Sequence, residues 1–158
     1  MEAVQTEGLT FEKYWAEEYY HFGEVVEFQV LQKIKEQFNE LGFYFDFTCN
    51  GISKDDDQDE YNGADFDIYL ENGDFAIAIE VKDKPLQNDV DRYKQKMAVL
   101  RRSADKKNDK RLLYGAMAGA VMSNEVKAYA QGAGFYTIIP SGDTVKIDIP
   151  EGFNPKKW

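Results

Sequence analysis

Three charged residues, Asp67, Glu80 and Lys82, have the types and the spacing that metal-dependent phosphate chemistry requires. Two carboxylates at neighbouring strand ends form an oxygen-rich site of the kind that holds Mg²⁺. A metal bound there would polarise a phosphoryl oxygen and lower the pKa of a bound water. Lys82 follows Glu80 by two residues, so on a strand it shares a face with Glu80 and can orient that water. The alternative is a hairpin with a solvated polar face, because Asp and Glu are common on exposed surfaces.

The segments that carry these charges are predicted to form a β-hairpin. In the first segment, strict alternation would place Phe66, Ile68 and Leu70 on one face and Asp67 on the other. The dipeptide Asn72-Gly73 is a strong hairpin signal between such segments. The second strand, from about residue 75 to 81, presents large residues on one face; its other face carries Ala76, Ala78, Glu80 and Lys82.

The order Asp67, then Glu80-Val81-Lys82, resembles the D…(D/E)xK signature of the PD-(D/E)XK, or restriction-endonuclease-like, nuclease superfamily. Phe66 stands where the superfamily name has a proline, a position at which members often differ. From about residue 22 to the end, further segments resemble one group of bacterial nuclease-like proteins: FGEVVE, ADFDIYLENG, IAIEVKDKP, LLYGAMAGA and FYTIIPSGDTVKI. The resemblance implies a restriction-endonuclease-like mixed central sheet and an Mg²⁺-dependent nuclease in which Mn²⁺ can substitute.

A glutamate of the first predicted helix is a further candidate ligand. Residues 10–41 are helical in pattern, with a break near residues 21–23, and Glu27 falls within an apolar stripe formed by Val30, Leu31, Ile34 and Phe38. An inward charge requires a partner. Many superfamily members place a glutamate of the first helix beside the metal, so the resemblance assigns this role to Glu27, with Glu24 as the alternative. A salt bridge between Glu27 and a neighbouring Lys would also explain the pattern.

The chain is acidic, with a net charge of −10, but basic residues concentrate directly after the proposed active strand. Residues 82–111 contain eleven Lys or Arg and five Asp, a local net charge of +6. Because phosphate contacts dominate DNA binding, we expect Lys84, Arg92 and Lys96 to bind substrate phosphates. A solvated helix face with mixed charges would explain the same segment.

The rest of the chain predicts an α/β protein. Strand and helix alternation after an initial meander indicates a mixed sheet with helices on both faces. The predicted strands are 43–48, 111–122, 135–140 and 145–149, and the predicted helices are 90–103 and 124–131. The strand at 111–122 is predicted to be an inner strand, to which Gly115 and Gly119 allow close approach. Residues 55–60 are predicted to form a solvated acidic loop and not a calcium site.

With 158 residues and no low-complexity segment, a single domain over 1–158 is expected, with a helical N-terminal extension (1–21) and an irregular tail (150–158). A lone cysteine, Cys49, excludes an intramolecular disulfide. Neither a signal peptide nor a membrane-spanning run is evident, which predicts a cytoplasmic protein. His21 is the only histidine and Cys49 has no basic neighbours, so neither is expected to act as a catalytic base or nucleophile.

Taken together, these features predict a metal-dependent phosphodiesterase that hydrolyses DNA. Because restriction-endonuclease-like folds of this size usually need a dimer or a partner domain to grip duplex DNA, the resemblance is compatible with a homodimer, which the sequence does not establish. Asp67, Glu80 and Glu27 would bind Mg²⁺, and Lys82 would act on the attacking water. Two alternatives remain open: a nuclease-fold binding or scaffold module that does not cut, and an enzyme for another phosphate ester. The negative charge of the chain outside residues 82–111 favours the scaffold module. The presence of all three signature charges, Asp67, Glu80 and Lys82, favours an enzyme.

Overall fold

The computed structural model describes residues 24–45, 47–55, 63–142 and 144–158, and side chains over 32–45, 66–142 and 144–158. The predicted N-terminal extension (1–21), the helix break at 21–23 and most of the acidic loop lie outside the described residues. The described elements, in chain order, are α1 (Glu24–Glu40), β1 (Phe47–Asp55), β2 (Gly63–Glu71), β3 (Phe75–Lys82), α2 (Gln87–Lys106), β4 (Leu112–Gly119), α3 (Asn124–Gly132), β5 (Tyr136–Ser141) and β6 (Thr144–Asp148).

The six described strands form one mixed sheet in which spatial order follows chain order, β1-β2-β3-β4-β5-β6. Strands β1, β2 and β3 are antiparallel, β3, β4 and β5 are parallel, and β6 is antiparallel to β5. The parallel pairs require crossovers, which α2 and α3 provide. The predicted mixed α/β class is therefore confirmed.

Helices cover both faces of the sheet, because two buried layers lie on its opposite sides. The first layer lies under α1 and includes Ile34, Phe38, Ile68, Ile77 and Ile79. The second lies under α2 and α3 and includes Ala76, Ala78, Tyr93, Met97 and Val126. Alternation along β3 divides its side chains between the two layers as the sequence predicts.

Helix α1 ends at a glycine in the left-handed conformation. Gly42 has a φ of +96°, and the N–H of Phe43 donates to the carbonyl of Phe38 at 2.9 Å while that of Gly42 donates to Asn39 at 3.0 Å. This is a Schellman motif, in which a left-handed residue satisfies the last helix carbonyls. The rings of Phe38 and Phe43 meet edge to face at 5.9 Å, which closes the motif.

The predicted first strand at 43–48 is wrong in its bounds, since β1 begins at Phe47 and continues to Asp55. Phe43 and Phe45 are apolar because they pack in the first layer beneath α1, with their rings stacked at 6.4 Å. Alternation in this stretch therefore reports burial of a connection and not strand pairing.

The β2–β3 hairpin is confirmed, and its turn is held by a side chain. The Oδ1 atom of Asn72 accepts the N–H groups of Asp74 at 2.7 Å and Phe75 at 2.9 Å. Arg111, which precedes β4, donates to the Glu71 carboxylate at 3.0 Å and to the Asn72 carbonyl at 3.1 Å. The base of the hairpin is thereby fixed to the parallel half of the sheet.

The later elements agree with the sequence to within a few residues. The helix predicted at 90–103 is longer, Gln87–Lys106, because the Asp89 carboxylate accepts the Leu86 N–H at 2.8 Å and starts the helix earlier. Ser123 caps α3 by accepting the N–H of Val126 at 3.2 Å. Strand β4 is an inner strand as expected, and it is shorter than predicted at Leu112–Gly119.

The tail is irregular, as predicted, but it is packed on the body. Trp158 stacks on Phe135 with ring centroids 5.3 Å apart, and the backbone N–H of Trp158 donates to the Leu113 carbonyl at 2.8 Å. Among the described residues, no helix combines the length and the apolar character that crossing a bilayer demands.

Candidate active site

The site begins where β2 and β3 separate. Their pairing runs from Glu71 opposite Ala76 to Ile68 opposite Ile79 and does not continue to Asp67. Beyond this point the Oδ2 atom of Asp67 accepts the backbone N–H of Val81 at 2.8 Å. A side-chain carboxylate thus replaces the main-chain acceptor that a continued ladder would provide.

Where β2 separates from β3, the side chains of β2 also change the buried layer in which they pack. Phe66 packs in the second layer with Tyr69, whereas Ile68 and Leu70 pack in the first. The expectation that Phe66, Ile68 and Leu70 share one face is therefore wrong at Phe66. Strict alternation requires a regular strand that stays paired on both sides. At Asp67, β2 leaves β3 while it remains paired with β1.

Glu80 lies on the α2 side of β3 and is buried, with 9% of its side chain exposed. The alanines that precede it on this face, Ala76 and Ala78, leave room for α2 to approach. Tyr93 of α2 uses that space, and its hydroxyl donates to the Ala78 carbonyl. From the same helix, the Nζ atom of Lys96 donates to Oε2 of Glu80 at 2.7 Å.

The charges of the site act on one another. Burial raises the pKa of Glu80 above its usual value, the ion pair with Lys96 opposes that rise, and the negative charge of Asp67 adds to it. The ammonium of Lys82 lowers the pKa of Glu80. Burial raises the pKa of Tyr93 as well, and the Glu80 and Asp67 charges contribute. The four charged or phenolic groups around Glu80 therefore belong to one electrostatic cluster.

The predicted basic residues occupy different positions around this cluster. Lys82 is half-buried at the end of β3, and Lys84 is exposed in the connection to α2. Arg92 is exposed on α2, one turn before Lys96, so these two residues lie on one helix face. Lys96, expected to contact substrate phosphate, contacts the proposed metal ligand Glu80, and its role toward phosphate stays a prediction.

The remaining candidate ligands, Glu27 and Glu24, lie in the first turns of α1, and their side chains are outside the described residues. The later half of α1 packs in the first layer, on the side of the sheet opposite Glu80. The role assigned to Glu27, or to Glu24, stays a prediction.

The chemistry of the donor set fits a divalent cation. Asp67 and Glu80 supply hard carboxylate oxygens, and Glu80 already holds a cationic group on Oε2. Within the part of the chain that the structure describes, no three His, Cys, Asp or Glu residues come together as a metal-binding group. Two protein carboxylates nevertheless match the manner in which Mg²⁺ is commonly held, with waters and substrate phosphates completing its shell.

Sequence reasoning did not identify Lys96 as a partner of Glu80 or Tyr93 as a support beneath it. An apolar stripe of α2 faces the sheet, since Val90, Tyr93, Met97 and Leu100 are all buried. Lys96 follows Tyr93 by three residues and so borders that stripe. A lysine at the edge of an inward-facing stripe, opposite a strand with an inward-facing Glu, is the signal that could have revealed the pair.

Comparisons with protein-family models, curated proteins and solved structures gave no match to this chain.

Proposed function

We propose that this protein is a metal-dependent phosphodiesterase that hydrolyses DNA, on a restriction-endonuclease-like fold. The observation that supports it most directly is the separation of β2 and β3 at Asp67. It leaves the Asp67 carboxylate on the Val81 N–H, within electrostatic reach of the buried Glu80. Lys82, which is the next residue on the same face of β3 as Glu80, acts electrostatically on the Glu80 carboxylate.

The residues of the site have separable roles in this proposal. Asp67 and Glu80 hold the cation, which when bound supplies Lewis acidity and an acidified water. Lys82 orients the attacking water and balances the charge that develops on the phosphate. Glu27, or Glu24 in its place, adds a further carboxylate. Tyr93 supports the strand from below by its hydrogen bond to Ala78.

The local charge pattern supports a polyanionic substrate. An acidic chain repels DNA unless positive charge is concentrated where the phosphates lie. Positive charge is present at the end of β3 (Lys82), in the connection that follows it (Lys84) and on α2 (Arg92), the helix that contacts Glu80, and both Lys84 and Arg92 are exposed. The choice of DNA over RNA or a smaller phosphate ester rests on the resemblance to nucleases.

The proposal is tested by incubating supercoiled and linear DNA with the protein in Mg²⁺, Mn²⁺ or EDTA. We expect cleavage in either metal and none in EDTA. Lys82→Ala should lose at least about 100-fold in rate, the range of one acid–base or electrostatic group. Lys110→Ala, an exposed lysine of the same basic segment, is the matched control and should cleave as the wild type does. Wild-type cleavage by Lys82→Ala with an unchanged melting temperature would overturn the role of Lys82.

A second function, a DNA-binding or scaffold module that does not cut, is favoured by the Lys96–Glu80 ion pair. A buried carboxylate with its own ammonium partner is electrostatically satisfied without a metal. In this case DNA binding, measured by fluorescence anisotropy, would be equal in EDTA and in Mg²⁺, and no condition would give cleavage. The cytoplasmic location and the homodimer stay predictions.

A further inference from the structure

The ion pair between Lys96 and Glu80 joins two elements across the second layer of the protein. Nζ of Lys96, in α2, lies 2.7 Å from Oε2 of Glu80, in β3. The Glu80 side chain is 9% exposed and that of Lys96 is 34% exposed. The carboxylate is thus enclosed by the fold, whereas the ammonium approaches it from a side that is open to solvent.

A divalent cation on Oε2 of Glu80 would lie close to the Lys96 ammonium, and the two positive charges would repel each other. A buried carboxylate without a positive partner is costly, so removal of one partner requires another. An ammonium on a four-carbon stem is a movable point charge, and its exposed side gives it a path away from Glu80. A divalent cation that binds Glu80 through Oε2 would repel this ammonium toward its exposed side.

We propose that Lys96 is a positioning residue that occupies the cation site on Glu80 until a divalent metal arrives, and then turns to the substrate phosphate. This inference rests on the metal site of the proposed function. Displacement leaves Lys96 on the same helix face as the exposed Arg92, so the released ammonium joins an existing positive surface. The same lysine therefore lowers metal affinity in the free protein and favours DNA once metal is bound.

The test is isothermal titration of Mg²⁺ and Mn²⁺ into the wild type, Lys96→Met and Lys94→Met. Methionine keeps the apolar stem and removes the charge. Lys94 is the matched control, because its contact with Asp91 is a longer pair on the helix surface, at 3.6 Å. We expect Lys96→Met to bind metal about tenfold or more tightly than the wild type, which corresponds to one competing ion pair. Lys94→Met should bind as the wild type does.

Thermal unfolding provides an independent readout. Metal-free Lys96→Met should melt below the wild type because Glu80 loses its partner, and saturating Mg²⁺ should raise its melting temperature by more than it raises that of the wild type. Lys96→Gln, which keeps a hydrogen-bond donor without charge, serves if the methionine variant does not fold. Equal or weaker metal binding in both variants overturns the competition between Lys96 and the metal.

The second half of the inference is tested with DNA in Ca²⁺, as a probe of binding without turnover. The wild type should bind DNA more tightly in Ca²⁺ than in EDTA, and Lys96→Met should lose at least half of that gain. An undiminished gain in Lys96→Met overturns the transfer of Lys96 to phosphate.

Failure of this inference and failure of the proposed function give different results. Metal binding and cleavage by the wild type, with no tighter binding in Lys96→Met, overturns the inference alone. Metal binding by Lys96→Met but not by the wild type supports the competition between Lys96 and the metal. It overturns the transfer of Lys96 to phosphate and the nuclease function, because the lysine then replaces the metal permanently. Absence of metal binding in all variants overturns both.

Discussion

The Asp67 carboxylate accepts the backbone N–H of Val81 at 2.8 Å, across 14 positions of the chain. This bond lies where the main-chain ladder between β2 and β3 has ended. Asp67 therefore has two roles in this proposal. Its Oδ2 atom stabilises the fold by accepting the Val81 N–H, and the negative charge of its carboxylate would bind the metal. The two contributions can be separated by substitution, because an amide oxygen can accept the N–H but is a weaker metal ligand.

We expect Asp67→Asn and Asp67→Ala to differ in stability and to agree in loss of function. Asp67→Ala leaves the Val81 N–H without its acceptor, at a cost of roughly 1 to 3 kcal/mol in the free energy of unfolding. Asp67→Asn keeps an acceptor and should lose less than about 1 kcal/mol. Both should abolish metal binding measured by titration, because the carboxylate charge is gone.

Chemical denaturation of both variants is the measurement, and Asp74→Ala, an exposed residue of the adjacent turn, is the control. Equal losses of stability in Asp67→Asn and Asp67→Ala would show that the hydrogen bond to Val81 is not what Asp67 contributes to the fold. Metal binding retained by Asp67→Asn would remove Asp67 from the proposed ligand set.

Much of the fold could be predicted because it depends on local patterns. The Asn72-Gly73 turn, the stripe of α2 and the Gly42 terminus each follow from neighbouring residues. The change of face at Phe66 could not be predicted, because it comes where the ladder between β2 and β3 ends, and strand pairing is not a local pattern. The alternation of Phe43 and Phe45 led to a strand being predicted too early in the chain. Alternating apolar residues indicate burial, and a buried connection need not form a strand.

The candidate site was predictable in its carboxylates and not in its counter-ion. Asp67 and Glu80 stand out because carboxylates at apolar strand ends need an explanation. Lys96 is one of many lysines in a basic segment, and only the path of α2 over β3 brings its ammonium to Glu80.

Gln37 of α1 covers the edge of the sheet at β6. Its Oε1 accepts the N–H of Ile147 at 2.7 Å, and its Nε2 donates to the Val145 carbonyl. Val145 pairs with Pro140, which has no N–H, so the Val145 and Ile147 groups are directed outward. Gln37→Ala should cost roughly 1 to 3 kcal/mol and leave an open edge that pairs with other chains.

Denaturant unfolding and analytical ultracentrifugation check the role of Gln37. We expect lower stability and concentration-dependent association in Gln37→Ala, and little change in Glu40→Ala, an exposed substitution on the same helix. A monomeric Gln37→Ala with wild-type stability would mean that the edge is protected by something other than this side chain.

Gly115 is required by the ring of Phe135. A Cβ at Gly115 would lie 2.6 Å from two atoms of that ring. The ring cannot withdraw freely, because Trp158 stacks on it at 5.3 Å and Tyr93 lies 5.0 Å away. Gly115→Ala should therefore cost roughly 1 to 3 kcal/mol, as overpacking does.

Gly73→Ala is the matched control, since a Cβ there meets nothing within 4 Å, and it should be close to neutral. The double variant Gly115→Ala with Phe135→Leu should recover part of the difference relative to Phe135→Leu alone, because the smaller side chain frees the space. Thermal melts of the four proteins measure this coupling. Strict additivity of the two substitutions would contradict the proposed clash.

We expect Tyr136 to make the stability of the protein sensitive to alkaline pH. Burial raises the pKa of Tyr136 to about 12, and the nearby Tyr114 adds to the effect. The folded protein thus favours the neutral phenol, so this contribution to stability is present below the unfolded tyrosine pKa of about 10 and is lost as pH rises through about 12. In Tyr136→Phe the loss of unfolding free energy between about pH 9 and pH 12 should be smaller than in the wild type by roughly 1 to 2 kcal/mol.

Urea titrations across that pH range measure this difference. Tyr44→Phe, at a site that is 69% exposed, is the control and should follow the wild type. Parallel curves for Tyr136→Phe and the wild type would show that ionisation of Tyr136 does not limit alkaline stability.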